Sequence, residues 1–198
     1  MERPRLSQGL TQIYTGNSKG KTTAALGLAL RAIGHGFKVY IIQFMKGTSY
    51  YGELYSLARL YPDITVRHYG RACPIQTLIK NGEKQCTECG QCFVEKGKIK
   101  PEDREMASMA LAHSREILFS DQYDIVILDE ILNALYFELV TLEDVKHLIK
   151  GKPPLVELVL TGRYAPVELI EMADQVTEMK EIKHPFQKGI LARRGIEY

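Results

Sequence analysis

The segment Thr15-Gly-Asn-Ser-Lys-Gly-Lys-Thr-Thr23 constrains the fold more than any other feature of the chain. It follows the apolar run Leu10-Thr-Gln-Ile-Tyr-Thr15 and opens an Ala- and Leu-rich stretch from Thr22 to His35. The first run reads as a short buried strand. The second has helical spacing, with Gly36 as its stop. A strand, a glycine turn and a helix N-terminus in that order make a cradle for anions. The glycines let the backbone approach phosphate oxygens, and the first helical N–H groups point at them. Lys21 supplies a cation, and Thr22 or Thr23 offers a hydroxyl for Mg2+. Gly16, Asn17, Ser18, Lys19, Gly20, Lys21, Thr22 and Thr23 are therefore the expected contacts of a bound ATP. The usual loop has four residues between its glycines. Here three residues separate Gly16 from Gly20, and Thr15 stands where the first glycine would be.

The remainder of the chain fits a sheet served by such a loop. Lys38–Phe44, Ile64–Tyr69, Tyr123–Leu128, Leu155–Leu160 and Val176–Ile182 read as strands. Helical patterns fall between them, at Gly52–Leu60, Pro101–Phe119 and Pro166–Met172. Thr141-Leu-Glu-Asp144 opens a further helix as a capping box. In Pro101–Phe119 the residues Met106, Met109, Ala110, Ala112, Ile117 and Leu118 supply an apolar side. Alternating strands and helices predict an α/β fold with a mostly parallel sheet and helices on both faces, P-loop NTPase-like and RecA-like in kind. Ligands of such sheets bind at the carboxyl ends of the strands, which puts Gly16, Phe44, Asp129 and Thr161 on one edge. The 198 residues suit a single domain spanning 1–198. Residues 70–100 break the pattern and read as a Cys-rich insert within it.

Charge and composition exclude several classes. The chain has 26 basic and 24 acidic residues, a net charge of +2, which does not describe a nucleic-acid coat. No apolar run is long enough to cross a bilayer, and the first residues lack a signal-peptide pattern. A cytoplasmic protein with no membrane or nucleic-acid partner is the expectation.

A second acidic element stands at Asp124-Ile-Val-Ile-Leu-Asp-Glu130. It reads as a buried strand ending in two carboxylates. Mg2+ prefers oxygen ligands, commonly a carboxylate beside phosphates and water. Asp129 and Glu130, with Thr22, are the expected Mg2+ ligands, and spacing does not say which acid is closer. Gln43 and Lys46 end the second strand nearby. Arg163 follows a strand in Thr-Gly-Arg and can pair with phosphate or simply face solvent.

The four cysteines, Cys73, Cys86, Cys89 and Cys92, form a soft-ligand set. Four thiolates can hold Zn2+ or a [4Fe–4S] cluster. Steps of three residues from Cys86 to Cys92, with a remote Cys73-Pro, are nearer to ferredoxin spacing, although the ferredoxin fourth position is absent. An iron–sulfur cluster is therefore favoured slightly over Zn2+.

These motifs resemble the P-loop type of ATP:corrinoid adenosyltransferase. The likeness is carried by Thr15–Ala25, Arg31-Ala-Ile-Gly-His-Gly36, Gln43-Phe-Met-Lys-Gly-Thr48 and Val126-Ile-Leu-Asp-Glu130. It continues in Leu160-Thr-Gly-Arg163, Ala173–Glu178, Ile182-Lys-His-Pro-Phe-Gln-Lys-Gly189 and Arg194-Gly-Ile-Glu-Tyr198. It covers nearly the whole chain except residues 70–100. The resemblance implies transfer of the 5′-deoxyadenosyl group of ATP to the Co(I) of a corrinoid, with release of triphosphate, in cobalamin biosynthesis or salvage. ATP is held in a reversed sense, so that the loop grips the leaving group. Lys21, Thr22 and Glu130 become the expected catalytic residues, and Gln43 and Arg163 join the nucleotide contacts. It implies a homodimer and an electron donor such as a flavoprotein. His184 and Phe186, in the matched tail, are expected to do ordinary packing. Two rivals stay open: a P-loop ATPase or kinase with another substrate, and a non-catalytic ATP-binding redox or metal sensor.

Overall fold

A computed structural model of the chain describes residues 4–47, 51–85 and 89–198; Cys86 lies outside them. Strand β1 (Thr11–Thr15) runs into the glycine turn, from which helix α1 (Lys21–Ile33) departs. Then come β2 (Val39–Phe44), α2 (Gly52–Ala58) and β3 (Ile64–Tyr69). Among the described residues the insert contains one short helix, α3 (Gln76–Lys80), before the long α4 (Pro101–Phe119). Strand β4 (Ile125–Asp129) leads through α5 (Ile131–Tyr136) and α6 (Leu142–Gly151) to β5 (Glu157–Thr161). Helix α7 (Val167–Met172), β6 (Gln175–Glu178) and a 3-10 turn (Pro185–Lys188) complete the order.

The six strands make one all-parallel sheet, in the order β3-β2-β4-β5-β1-β6. Its centre is apolar on both sides because successive side chains point to opposite faces. Val39, Ile41, Ile125, Ile127 and Val159 meet Ala25, Ala29 and Ala32 of α1. Tyr40, Ile42, Phe44, Val126, Leu128, Leu158 and Leu160 meet α4, α5, α6 and α7 on the other face. The alanines leave α1 no bulk on its inner side, so it lies against β1, β2, β4 and β5 together. Its N-terminus therefore sits over the middle of the sheet's carboxyl edge.

The α/β class and the flanking helices match the sequence reading, and several boundaries are corrected. Helix α5 was not expected; six residues are too few to show a 3.6-residue period. The last strand ends at Glu178, not Ile182. Beyond it, the Met179 N–H donates to the Thr15 carbonyl and the Met179 carbonyl accepts from Ser18 N–H. The backbone there clamps the glycine turn instead of extending the sheet. Within α4 the buried side is Ala107, Ala110, Leu111, Ser114 and Leu118, while Met109 and Ala112 face solvent. The capping box at Thr141 is present: Thr141 Oγ1 accepts from Asp144 N–H at 3.1 Å, and Asp144 accepts from Thr141 N–H at 3.2 Å. The insert is fastened to the start of α4 by Arg71, whose guanidinium holds the buried Asp103 carboxylate at 2.8 and 3.1 Å. Among the described residues, no helix is long and apolar enough to cross a membrane.

Candidate nucleotide site

Gly16 and Gly20 shape the turn after β1. Both adopt positive φ, 103° and 113°, which L side chains rarely take. A Cβ at Gly16 would strike the Met179 backbone, so the clamp and the glycine require each other. Gly20 caps α1, and its left-handed backbone directs the chain into the helix. Asn17 Oδ1 accepts from Glu181 N–H at 3.2 Å, tying the turn to the segment after β6. Lys21 is buried, and its ammonium donates to the carbonyls of Gly16 and Ser18 at 2.8 and 2.7 Å. Burial lowers its pKa, partly offset by the nearby Glu130 charge.

Asp129, at the end of β4, is the most enclosed charge of the site, 1% exposed. Its Oδ1 accepts from Thr22 Oγ1 at 2.8 Å and Thr161 Oγ1 at 2.7 Å. Its Oδ2 accepts from Gln43 Nε2 at 3.1 Å and Lys46 Nζ at 2.8 Å. Four donors fill the acceptor capacity of one carboxylate. Burial opposes the charge of Asp129, but Lys46 and the hydroxyl donors outweigh it and lower the pKa. Lys46 moves the other way: burial would lower it, and Asp129 and Glu130 raise it.

Glu130 differs in each respect. It sits at φ 63°, a left-handed conformation costly for a residue with a side chain, so its neighbour's strand direction is broken there. The turn aims Glu130 at the cleft, and its Oε2 is buried with no hydrogen-bond partner among the described residues. Burial and the Asp129 charge push its carboxyl pKa up. A buried carboxylate oxygen with no donor is a place for a cation. Thr22, Asp129 and Glu130 can thus hold Mg2+, with Glu130 the acid that has a free oxygen to offer.

Lys21, Thr22, Lys46 and Glu130 line one end of a cleft of about 1280 Å3. That exceeds the roughly 300–1,000 Å3 of ordinary small-ligand pockets. Asn17 to Thr23, Glu130 and Arg163 line it, whereas Gly16 and Asp129 are not among its lining residues. Gln43 does not reach it; the side chain is buried beneath, holding Asp129. His184 and Phe186, assigned to packing, stand on the cleft wall instead, and Phe186 is 64% exposed. No sequence pattern pointed to Asn133, Tyr136, Phe137 or Tyr164, which also line the cleft. Asn133 Oδ1 accepts from Arg163 N–H at 2.6 Å. Tyr136 and Tyr164 stack with ring centroids 4.0 Å apart, and Lys96 of the insert lies 4.1 Å over Tyr136. The C-terminal residues reach the same cleft, where Glu197 pairs with Lys19 at 3.2 Å.

The thiols are only partly assembled. Cys73 and Cys92 are buried in one apolar cluster with Ile79, and Cys92 borders the cleft. Cys89 is exposed. Among the described residues, no three His, Cys, Asp or Glu side chains are gathered closely enough to hold a metal ion. The expected four-thiolate set of Cys73, Cys86, Cys89 and Cys92 is therefore not supported by the described geometry, and Cys86 falls outside it.

Residues 7–198 match the family model described as ATP:corrinoid adenosyltransferase BtuR/CobO/CobP. The chain is 35% identical over 192 residues to a corrinoid adenosyltransferase of Sinorhizobium sp., covering 96% of this chain and 81% of the relative. It is 32% identical over 191 residues to the corrinoid adenosyltransferase of Escherichia coli K12, covering 96% and 86%. It matches the corrinoid adenosyltransferase CobA of Salmonella typhimurium at 32% identity with the same coverage. With the family model spanning nearly all of its length, this chain belongs to the ATP:corrinoid adenosyltransferase family.

Proposed function

We propose that the cleft binds ATP with its triphosphate on the 16–23 turn and a reduced corrinoid in the wider, aromatic-lined part, and that the protein moves the 5′-deoxyadenosyl group between them. The observation that carries this reading is the pairing of two unlike ends in one cleft. One end has loop amides, Lys21 and the open oxygen of Glu130; the other has Tyr136, Phe137, Tyr164 and Phe186. The volume is more than a nucleotide alone needs. The sheet order and the glycine turn support a P-loop NTPase-like core, with residues 70–100 part of the same domain.

In the reaction, the Co(I) electron pair forms a Co–C bond to the ribose C5′ as the C5′–O bond breaks. Both electrons of that bond leave with triphosphate. Negative charge grows on the departing oxygen, so preorganised donors are worth most there. The backbone amides of 16–21 and the Lys21 ammonium take this part. Lys21 leaves the Gly16 and Ser18 carbonyls, its partners when no nucleotide is present, for the phosphates. Thr22, Asp129 and Glu130 would hold Mg2+, which would supply further charge neutralisation when bound. Arg163 lies near enough to influence Lys21 and Glu130 and joins the phosphate contacts. No side-chain nucleophile is required, because cobalt supplies the electrons.

A thiol-bound metal is a second reading. It is favoured by the shared burial of Cys73 and Cys92 beside the cleft and by the softness of thiolates. Metal analysis of the purified protein, and Cys89→Ser turnover from Co(II) and from Co(I), decide it. Loss from Co(II) alone supports an electron relay; absence of Fe and Zn ends this reading. A flavoprotein donor, a homodimer and a cytoplasmic location accompany the proposal. The main experiment is incubation with ATP, Mg2+ and chemically reduced corrinoid. The adenosylated absorption spectrum and intact triphosphate are expected. ADP with orthophosphate would favour a kinase or ATPase, and binding without turnover would favour a sensor.

A further inference from the structure

Asp129 needs a positive neighbour whenever it is ionised, because a buried carboxylate without one is costly. Three of its four donors are neutral: Thr22, Thr161 and Gln43. The fourth is Lys46, 2.8 Å from Oδ2, with 18% of its side chain exposed. The same ammonium lies 3.4 Å from Thr22 Oγ1. Lys46 thus touches the hydroxyl and one of the carboxylates that a divalent metal at this loop would use.

The backbone is built to hold it there. Met45, the preceding residue, has φ 59°, a left-handed conformation that a methionine adopts only at a cost. The segment is wedged between Gly47 and Gly70, where a Cβ on either glycine would collide with the other strand's backbone. Lys46 also borders the cleft, so its ammonium has space to move into.

We propose that Lys46 is the stand-in cation of the nucleotide-free site: it occupies the Asp129–Thr22 position until a divalent metal arrives with the triphosphate, and then yields to it. This rests on the reading that Thr22, Asp129 and Glu130 bind the metal. It goes beyond that reading by assigning a competitor and an order of exchange. Lys46 and the divalent cation exclude one another, which is a negative coupling between two sites. Such couplings run from about five- to 150-fold in affinity.

The test uses Lys46→Met, which keeps the chain length and removes the charge, in the full-length protein without nucleotide. Wild type should show no change in unfolding temperature when Mg2+ replaces chelator. K46M should unfold at lower temperature in chelator and recover much of the loss with Mg2+. Its affinity for Mn2+, read by titration, should rise at least about fivefold over wild type. The double variant K46M with Asp129→Asn should be stable without metal and indifferent to it. A K46M protein that folds but ignores divalent cations overturns the proposal. If K46M does not fold, a folded double variant supports it, and two unfolded variants overturn it. Binding of Mg-ATP to wild type is measured alongside. Its absence would remove the metal reading itself, whereas its presence with no cation response in K46M removes only the inference.

Discussion

At the scale of single residues, the site separates two adjacent acids. Asp129 lies under Thr22, fully supplied with donors; Glu130 is turned outward with an oxygen unpaired among the described residues. Their pKa values are driven apart for that reason, Asp129 down and Glu130 up. A raised carboxyl costs stability once it ionises: the contribution is intact below the unfolded value and lost as pH rises through the folded one. Glu130→Gln should therefore raise the neutral-pH stability of the nucleotide-free protein by about 1 kcal/mol, read by urea denaturation. The same change should weaken Mg-dependent ATP binding, read by calorimetry. Asp129→Ala should act in the opposite direction and destabilise by about 3 kcal/mol, because it strands Lys46 and three polar partners. The pair Asp129-Glu130 was visible in the sequence, but their division of labour was not. Both sit at a strand end, and only the left-handed turn at Glu130 tells them apart.

At the scale of elements, local signals survived where the chain's own chemistry sets the boundary. The helix at Thr141 starts where its capping box predicts, because both hydrogen bonds lie within four residues. Thr141→Ala should cost about 1 kcal/mol in thermal unfolding and leave nucleotide binding unchanged. Helix α4 begins at Pro101 for the same kind of reason: proline fits a first turn, and Glu102 and Asp103 face the helix N-terminus. Its buried side was read only in part, since Ala107 and Leu111 give a less obvious stripe than its methionines. The insert was legible as an interruption and not as a shape. What fastens it, the pair Arg71–Asp103, joins residues 32 positions apart.

At the scale of the whole molecule, the cleft is closed by segments distant in sequence. Lys96 covers Tyr136 from the insert, and Glu197 reaches Lys19 across 178 positions. Glu197 is also held by Arg193, and these partners lower its pKa to about 2. A depressed carboxyl adds stability above its unfolded value near 4.5 and loses it as pH falls toward the folded one. The tail contact should therefore loosen between about pH 4.5 and 2, seen as faster amide exchange in residues 193–198, while Glu197→Gln removes that dependence. The pair is partly exposed, so salt should weaken it.

The sequence alone determined the glycine turn, the strand–helix alternation and hence a parallel sheet whose carboxyl edge carries that turn. Each of these is a local pattern, fixed by backbone sterics and by the period of apolar residues. Only the tertiary structure decided that Glu130 meets the cleft, that Gln43 lies beneath it, that Lys46 occupies Asp129, and that Tyr136 stacks on Tyr164. Those outcomes depend on which strand ends stand side by side: Gln43 opposes Asp129 because β2 pairs with β4 in that register. No spacing along the chain encodes that neighbourhood, which exists only once the sheet has closed.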